Sequence, residues 1–93
     1  MEISTILNWM HKENEKLKKI CENHNFVKKA QSSSALSVEI SFYDEEQQMR
    51  RRITEYGSKA AYAMLKELQA YYENEETECN NNLNKYLEQL KSQ

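Results

Sequence analysis

Proline is absent from this 93-residue chain, and glycine and tryptophan occur once each, at Gly57 and Trp9. Compact folds with many tight turns draw on proline and glycine for their special backbone angles, so their scarcity argues for few turns and long elements. It also excludes the glycine-rich loops that cradle phosphates. Two histidines, His11 and His24, and two cysteines, Cys21 and Cys79, are the only imidazoles and thiols in the sequence. No Ser/His/acid order and no pair of catalytic carboxylates in a pocket-forming fold can be assembled around them, so the chain reads as a non-enzyme. Cys21 and His24 stand three apart, but zinc wants four ligands in close-spaced pairs and only this one pair exists. Neither a metal nor any other cofactor is expected.

Long apolar runs are missing too. None approaches the ~20 residues needed to cross a bilayer, and the opening MEISTILNWMHKENEK has no basic region ahead of an apolar stretch. Two cysteines far apart in a chain rich in Lys, Glu and Asn read as reduced thiols, and the expected location is cytoplasmic.

The hydrophobic fraction is 39%, below the roughly 45–50% of ordinary globular domains, while 30% of residues are charged. With so few turn residues, this deficit indicates one elongated helical domain over residues 1–93, with charged outer faces and a narrow apolar seam. A seam of that kind is best sealed by another copy, so a homodimer or higher oligomer is expected. The net charge of −2 supplies no global attraction to nucleic acid or membrane.

Read in order, Ile3, Leu7, Met10, Leu17 and Cys21, with Ile6 and Ile20 alongside, recur at helical steps. Ser4 or Thr5 can cap this amphipathic helix, and Asn23–Asn25 is a plausible stop. Asn14 interrupts the seam. Leu36, Val38, Ile40 and Phe42 then alternate with Ser37, Glu39, Ser41 and Tyr43, as a strand requires. Its partner is either Phe26–Gln31, joined through Ser32–Ser34 as a β-hairpin, or the same strand of a second subunit. Helical spacing of Leu36, Ile40 and Tyr43 keeps an all-α hairpin or bundle open as the alternative. From Asp44 the spacing predicts a long bent helical region. Asp44 and Gln47 form a capping box, Met49, Ile53 and Tyr56 a seam, Gly57-Ser58 a bend, and Ala61, Leu65, Leu68 and Tyr72 its continuation. The pattern fades through Glu73–Asn82, and Leu83, Tyr86, Leu87 and Leu90 predict a short C-terminal helix. The class expected is mostly α with minor β.

Arg50, Arg51 and Arg52 are the most conspicuous charge cluster. In a helix three successive residues span about 200°, too wide for one flat basic face. Glu46 lies four before Arg50, and Glu55 four after Arg51, so the cluster is partly neutralised. The order of strand, helix, Gly-Ser and helix over Leu36–Tyr72 distantly resembles the ribbon–helix–helix DNA-binding family. That resemblance implies a dimer whose paired strands enter the major groove, with Ser37, Glu39 and Ser41 facing the bases. A central glutamate repeated across such a dimer repels phosphates, and the N-terminal helix lies outside the family's pattern.

Trp9 flanks the first helix's seam, and Tyr62, Tyr71 and Tyr72 belong to a set of six tyrosines, more than a small core needs. These four are the candidate partner-binding residues. Lys12 and Lys16 lie near Trp9's side of the helix, and with Arg50–Arg52 they are the candidate contacts to an anion or nucleic acid. The reading favoured overall is a non-catalytic binding protein, an oligomeric helical regulator or inhibitor of bacterial or phage type that occupies a partner protein's surface. Nucleic-acid binding through Arg50–Arg52 is the first alternative, and capture of a small anionic nucleotide at a subunit interface by Trp9 is the second.

Overall fold

The computed structural model describes residues 2–93. The chain is mostly helical: helix α1 (Ile3–Gln31), strand β1 (Ser37–Asp44), strand β2 (Met49–Tyr56) and helix α2 (Lys59–Lys91) follow in order. The strands form a two-stranded antiparallel hairpin inserted between two long helices.

Both helices carry inward residues at alternating steps of four and three. On α1 the stripe runs Ile6, Met10, Glu13, Leu17, Ile20, His24, Val27 and Gln31. On α2 it runs Ala61, Leu65, Tyr72, Glu76 or its neighbour Glu75, Cys79, Leu83 and Tyr86, with Leu68, 39% exposed, at its margin. Of these, Ile6, Ile20, His24, Val27, Ala61, Leu65 and Cys79 are buried. Such spacing keeps one stripe facing a partner helix as the two coil around each other. The helices are antiparallel, since partners of Trp9, Glu13 and His24 on α2 run backwards through Tyr86, Asn82 and Glu76.

A cluster of Val27, Leu36, Ala61 and Leu65, with Ala30, Val38 and Tyr72 against it, ties the hairpin's base to the helix pair. Gly57 makes the return. Its φ of +46° lies in the left-handed region that other residues rarely adopt, and its N–H donates to the Leu36 carbonyl at 2.8 Å. Ser58 then caps α2, accepting the Ala61 N–H at 3.2 Å and donating to Glu55.

The molecule is elongated and flat, with extents of 53 × 36 × 14 Å and a radius of gyration of 18.7 Å. A compact chain of this length would have about 12 Å. At 1.5 Å per residue α2 alone spans about 50 Å, so the hairpin contributes breadth rather than length. The 14 Å depth is that of a single layer of helices.

Several sequence expectations need correction. The α1 seam is rotated: Ile3 and Leu7 are half exposed while Ile6 is fully buried, and the polar seam residue is Glu13, Asn14 being exposed. Asn23–Asn25 does not stop the helix, because His24 in its middle is buried against α2 and holds that turn in place. Phe26–Gln31 is therefore helix, and β1 pairs with Met49–Tyr56 instead. The helix expected from Asp44 is a turn followed by β2. Asp44 does accept N–H groups, from Glu46 at 3.1 Å and Gln47 at 3.3 Å, but these close a hairpin turn. Met49, Ile53 and Tyr56 match helical spacing by coincidence, and the ladder to β1 decides the outcome. With two strands in succession the ribbon–helix–helix order is gone. Finally, Glu73–Asn82 is uninterrupted helix, so there is no separate C-terminal helix; its polar residues are partners of α1.

The rotated seam gives a direct expectation. Ile6→Ala should lower unfolding free energy by about 2–4 kcal/mol in urea titrations, whereas Leu7→Ala, one residue along, should cost about 0.5 kcal/mol.

Candidate functional site: the exposed hairpin

Successive side chains of a strand point to opposite sides, so the pairing register assigns every hairpin residue to a face. Val38, Ile40, Phe42 and Asp44 stand opposite Glu55, Ile53, Arg51 and Met49 on one face. Ser37, Glu39, Ser41 and Tyr43 stand opposite Tyr56, Thr54, Arg52 and Arg50 on the other. The first face is apolar at its centre, and it is not buried: Ile40, Phe42, Met49 and Ile53 keep 48%, 52%, 51% and 58% of their surface. Val38 alone reaches the core cluster.

This is an unusual place to leave four large apolar side chains. A two-stranded hairpin is marginally stable by itself and gains independence only with a third strand or a packed face. Each strand here also has one unpaired edge of N–H and C=O groups.

The second face is polar and aromatic. Arg50 reaches Ser41 Oγ at 3.4 Å and Arg52 reaches Glu39 at 3.5 Å, both too long and exposed to hold much. Tyr43 and Tyr56 share this face, 55% and 76% exposed. Arg51 points to the apolar face and donates to Asp44 Oδ2 at 3.2 Å. Asp44 thus holds the turn with one carboxylate oxygen and Arg51 with the other. The helical pairings of Glu46 with Arg50 and of Glu55 with Arg51 are replaced by these cross-strand contacts.

A second group of polar residues lies inside the helix pair. His24 Nδ1 is 2.6 Å from Glu76 Oε1, and since a carboxylate only accepts, Nδ1 carries the proton of that bond. His24 Nε2 is buried without a hydrogen-bond partner, its nearest carboxylate oxygen being on Glu73 at 3.7 Å. Asn82 donates to Glu13 at 3.2 Å. The Cys79 thiol, fully buried, is pushed from its ordinary 9.0 up to about 11, first by burial and then by the Glu13 hydrogen bond and charge. Cys21 is also raised, by burial and by Glu76. Both are protonated thiols at neutral pH, the unreactive form. Among the described residues no group of three or more His, Cys, Asp or Glu side chains could hold a metal ion, and no helix is long and apolar enough to cross a membrane.

The chain matches no family model, no curated protein and no solved structure.

The candidate residues from sequence fall into separate places. Trp9 packs on Tyr86, ring centres 5.7 Å apart, so one face of its indole is taken, with Lys12 and Lys16 exposed nearby. That region lies some 30 Å along α1 from the hairpin, counting residues at 1.5 Å each. Tyr62 lines a shallow open depression of about 270 Å³ with Gln31, Lys66 and Gln69. Tyr71 is exposed and meets half-buried Tyr72 edge-on at 5.6 Å. Only Arg50–Arg52 sit on the hairpin. Sequence reading missed Tyr43, Tyr56, Met49 and Ile53 as surface residues of one element. Their spacing offered little signal, because Met49 and Ile53, four apart, share a face of a strand as well as of a helix and Arg51 interrupts the alternation between them.

The Cys79 thiol stays neutral in the fold where the unfolded chain would ionise it, so its stabilisation is whole below pH 9 and is lost as pH rises towards 11. Thermal melts at pH 8 and pH 10.5 should show a fall in midpoint that Cys79→Val reduces.

Proposed function

We propose that this chain is a non-catalytic interaction protein in which a helical rod presents the β-hairpin to a partner protein and acts by covering that partner's surface, as a regulator or inhibitor does. The observation that carries the reading is the apolar face of Ile40, Phe42, Met49 and Ile53, half exposed on a sheet that nothing else among the described residues covers. Contiguous apolar surface rimmed by charge is the usual mark of a protein contact. Here the rim is supplied by Arg51, Asp44 and Glu55. Two free cysteines suit a reducing, cytoplasmic place of action. A photoreactive residue placed at Phe42 should cross-link in cells to a discrete foreign protein, in a product that survives nuclease. The same residue placed at Lys66, on α2, should give far less. Equal cross-linking at the two positions, or none at Phe42, would remove the proposal.

A second reading has its own support. In a strand, unlike a helix, Arg50 and Arg52 share a side, and Tyr43 and Tyr56 share it with them. Cations flanked by exposed rings are what a single-stranded nucleic acid needs, phosphates meeting the arginines and bases stacking on the tyrosines. Each arginine that neutralises a phosphate steepens the dependence of log affinity on log salt by about 0.7. Titration of a single-stranded oligonucleotide should therefore give a slope that is shallower by about 1.4 in Arg50→Ala/Arg52→Ala. No binding at low salt excludes this reading.

A further inference from the structure

The two open edges of the hairpin are not alike. β2 carries three consecutive arginines, and charged residues along an edge are the common device that stops another strand from pairing there. β1 carries one charge in its first seven residues, Glu39, among Val38, Ile40, Phe42 and Tyr43. One edge is guarded and the other is left free. Adding this asymmetry to the proposed role as a contact-making protein, on which it rests, we infer that β1 pairs antiparallel with β1 of a second copy across a two-fold axis at Ile40.

The ladder fixes which groups are free to pair. The Gly57 N–H bonds to the Leu36 carbonyl, and hydrogen-bonded pairs alternate along an antiparallel ladder. Val38, Ile40, Phe42 and Asp44 therefore bond inward to β2, while Ser37, Glu39, Ser41 and Tyr43 turn their N–H and C=O groups outward. Two copies of this outward set can pair about an axis at Ile40. Ile40 then meets its own copy, Val38 meets Phe42, Glu39 meets Ser41 and Ser37 meets Tyr43. Apolar residues face apolar residues throughout, and no two like charges stand directly opposite. An axis at Glu39 would set two carboxylates against each other, one at Ser41 would set Val38 against Asp44, and one at Phe42 would set Ile40 against Asp44. An axis at Val38 would leave Phe42 and Tyr43 without partners in the strand. The register about Ile40 pairs the whole of Ser37 to Tyr43 without such a clash.

The product is a four-stranded sheet in the order β2-β1-β1-β2, with an arginine-guarded strand at each outer edge. Pairing therefore stops at two copies and forms no fibre. It also supplies the additional strands that a lone hairpin lacks, and it joins the two apolar faces into one surface twice as large for the partner protein.

Sedimentation of the full chain tests this at about 100 µM, where a Kd near 1 µM leaves little monomer. The expected mass is twice the 11.1 kDa of one chain. Ser41→Pro removes an outward N–H and no ladder bond, so it should give a monomer of unchanged helix content, whereas Arg52→Ala should leave the dimer intact. In the Cys21→Ser background, Ile40→Cys should oxidise readily to a disulfide-linked dimer, because directly opposed residues of this pair type have Cα atoms about 4.5 Å apart. Ile53→Cys should not. A monomer at that concentration, or a dimer indifferent to Ser41→Pro in which Ile40→Cys fails to cross-link, overturns the inference. If Phe42 still cross-links to a foreign protein in that case, only the pairing fails and the contact-making role stands.

Discussion

Everything in this molecule hangs on one seam between two helices. A two-helix layer 14 Å deep has no third element to sandwich its side chains, so apolar burial is confined to the line where α1 meets α2. Ile6, Ile20 and Val27 from one side and Ala61, Leu65 and Cys79 from the other are nearly all of it. Isolated helices gain little from propensity alone in water, and their stability comes from packing such a stripe. The hairpin depends on the same seam at second hand, because its base is fastened through Leu36 and Val38 to Val27, Ala61 and Leu65.

The seam is also more polar than a seam needs to be, and that has a structural meaning. An antiparallel pair of smooth apolar stripes can slide by a heptad at small cost. Placing His24 against Glu76 and Glu13 against Asn82 opposes that slip, since it would leave buried His24 without its partner, at about 1–3 kcal/mol, and would unpair the half-buried Glu13 and Asn82 as well. Single polar residues fix register in coiled coils in this way. Register here sets the relative position of the last turn of α1 and the first turn of α2, which are the two points that grip the hairpin. Polar pairs along the seam thus help set where the hairpin's surface stands.

How far the sequence spoke for itself follows from what each residue's neighbours are. The helical class, the first helix, the β character of Ser37–Tyr43 and the apolar run of Ala61 to Tyr72 are legible because their patterns are local. Asn23–Asn25 misleads, since asparagine and histidine look like a stop until Glu76 stands opposite His24. Glu73–Asn82 misleads for the mirror reason: a stretch whose one apolar residue is Cys79 reads as a gap until Glu13 and His24 supply partners. The largest error, a helix in place of β2, came from Met49, Ile53 and Tyr56 falling at steps of four and three within eight residues, too short a window to separate the two periods. Asp44 added to it, because a carboxylate that binds the next turn's N–H groups serves a hairpin turn as well as a helix start. The α1 seam is rotated from its apolar pattern because Glu13, a polar residue, belongs inside it.

That same change of element alters what the three arginines mean. On a helix they would fan around the axis and meet their own glutamates. On a strand they are sorted by parity, with Arg51 sent to the apolar face, where Asp44 holds it beside the turn, and Arg50 and Arg52 sent to the opposite face with Tyr43 and Tyr56. Apolar contact on one side is insensitive to salt, while the field of exposed arginines on the other is strongly screened by it. The two faces therefore obey different physics and lie back to back. A protein on one face and an anion on the other need not compete for the same atoms. The eight-pair ladder sets the parity that separates the faces, and Asp44 secures its turn end by accepting the turn's N–H groups on one carboxylate oxygen and Arg51 on the other.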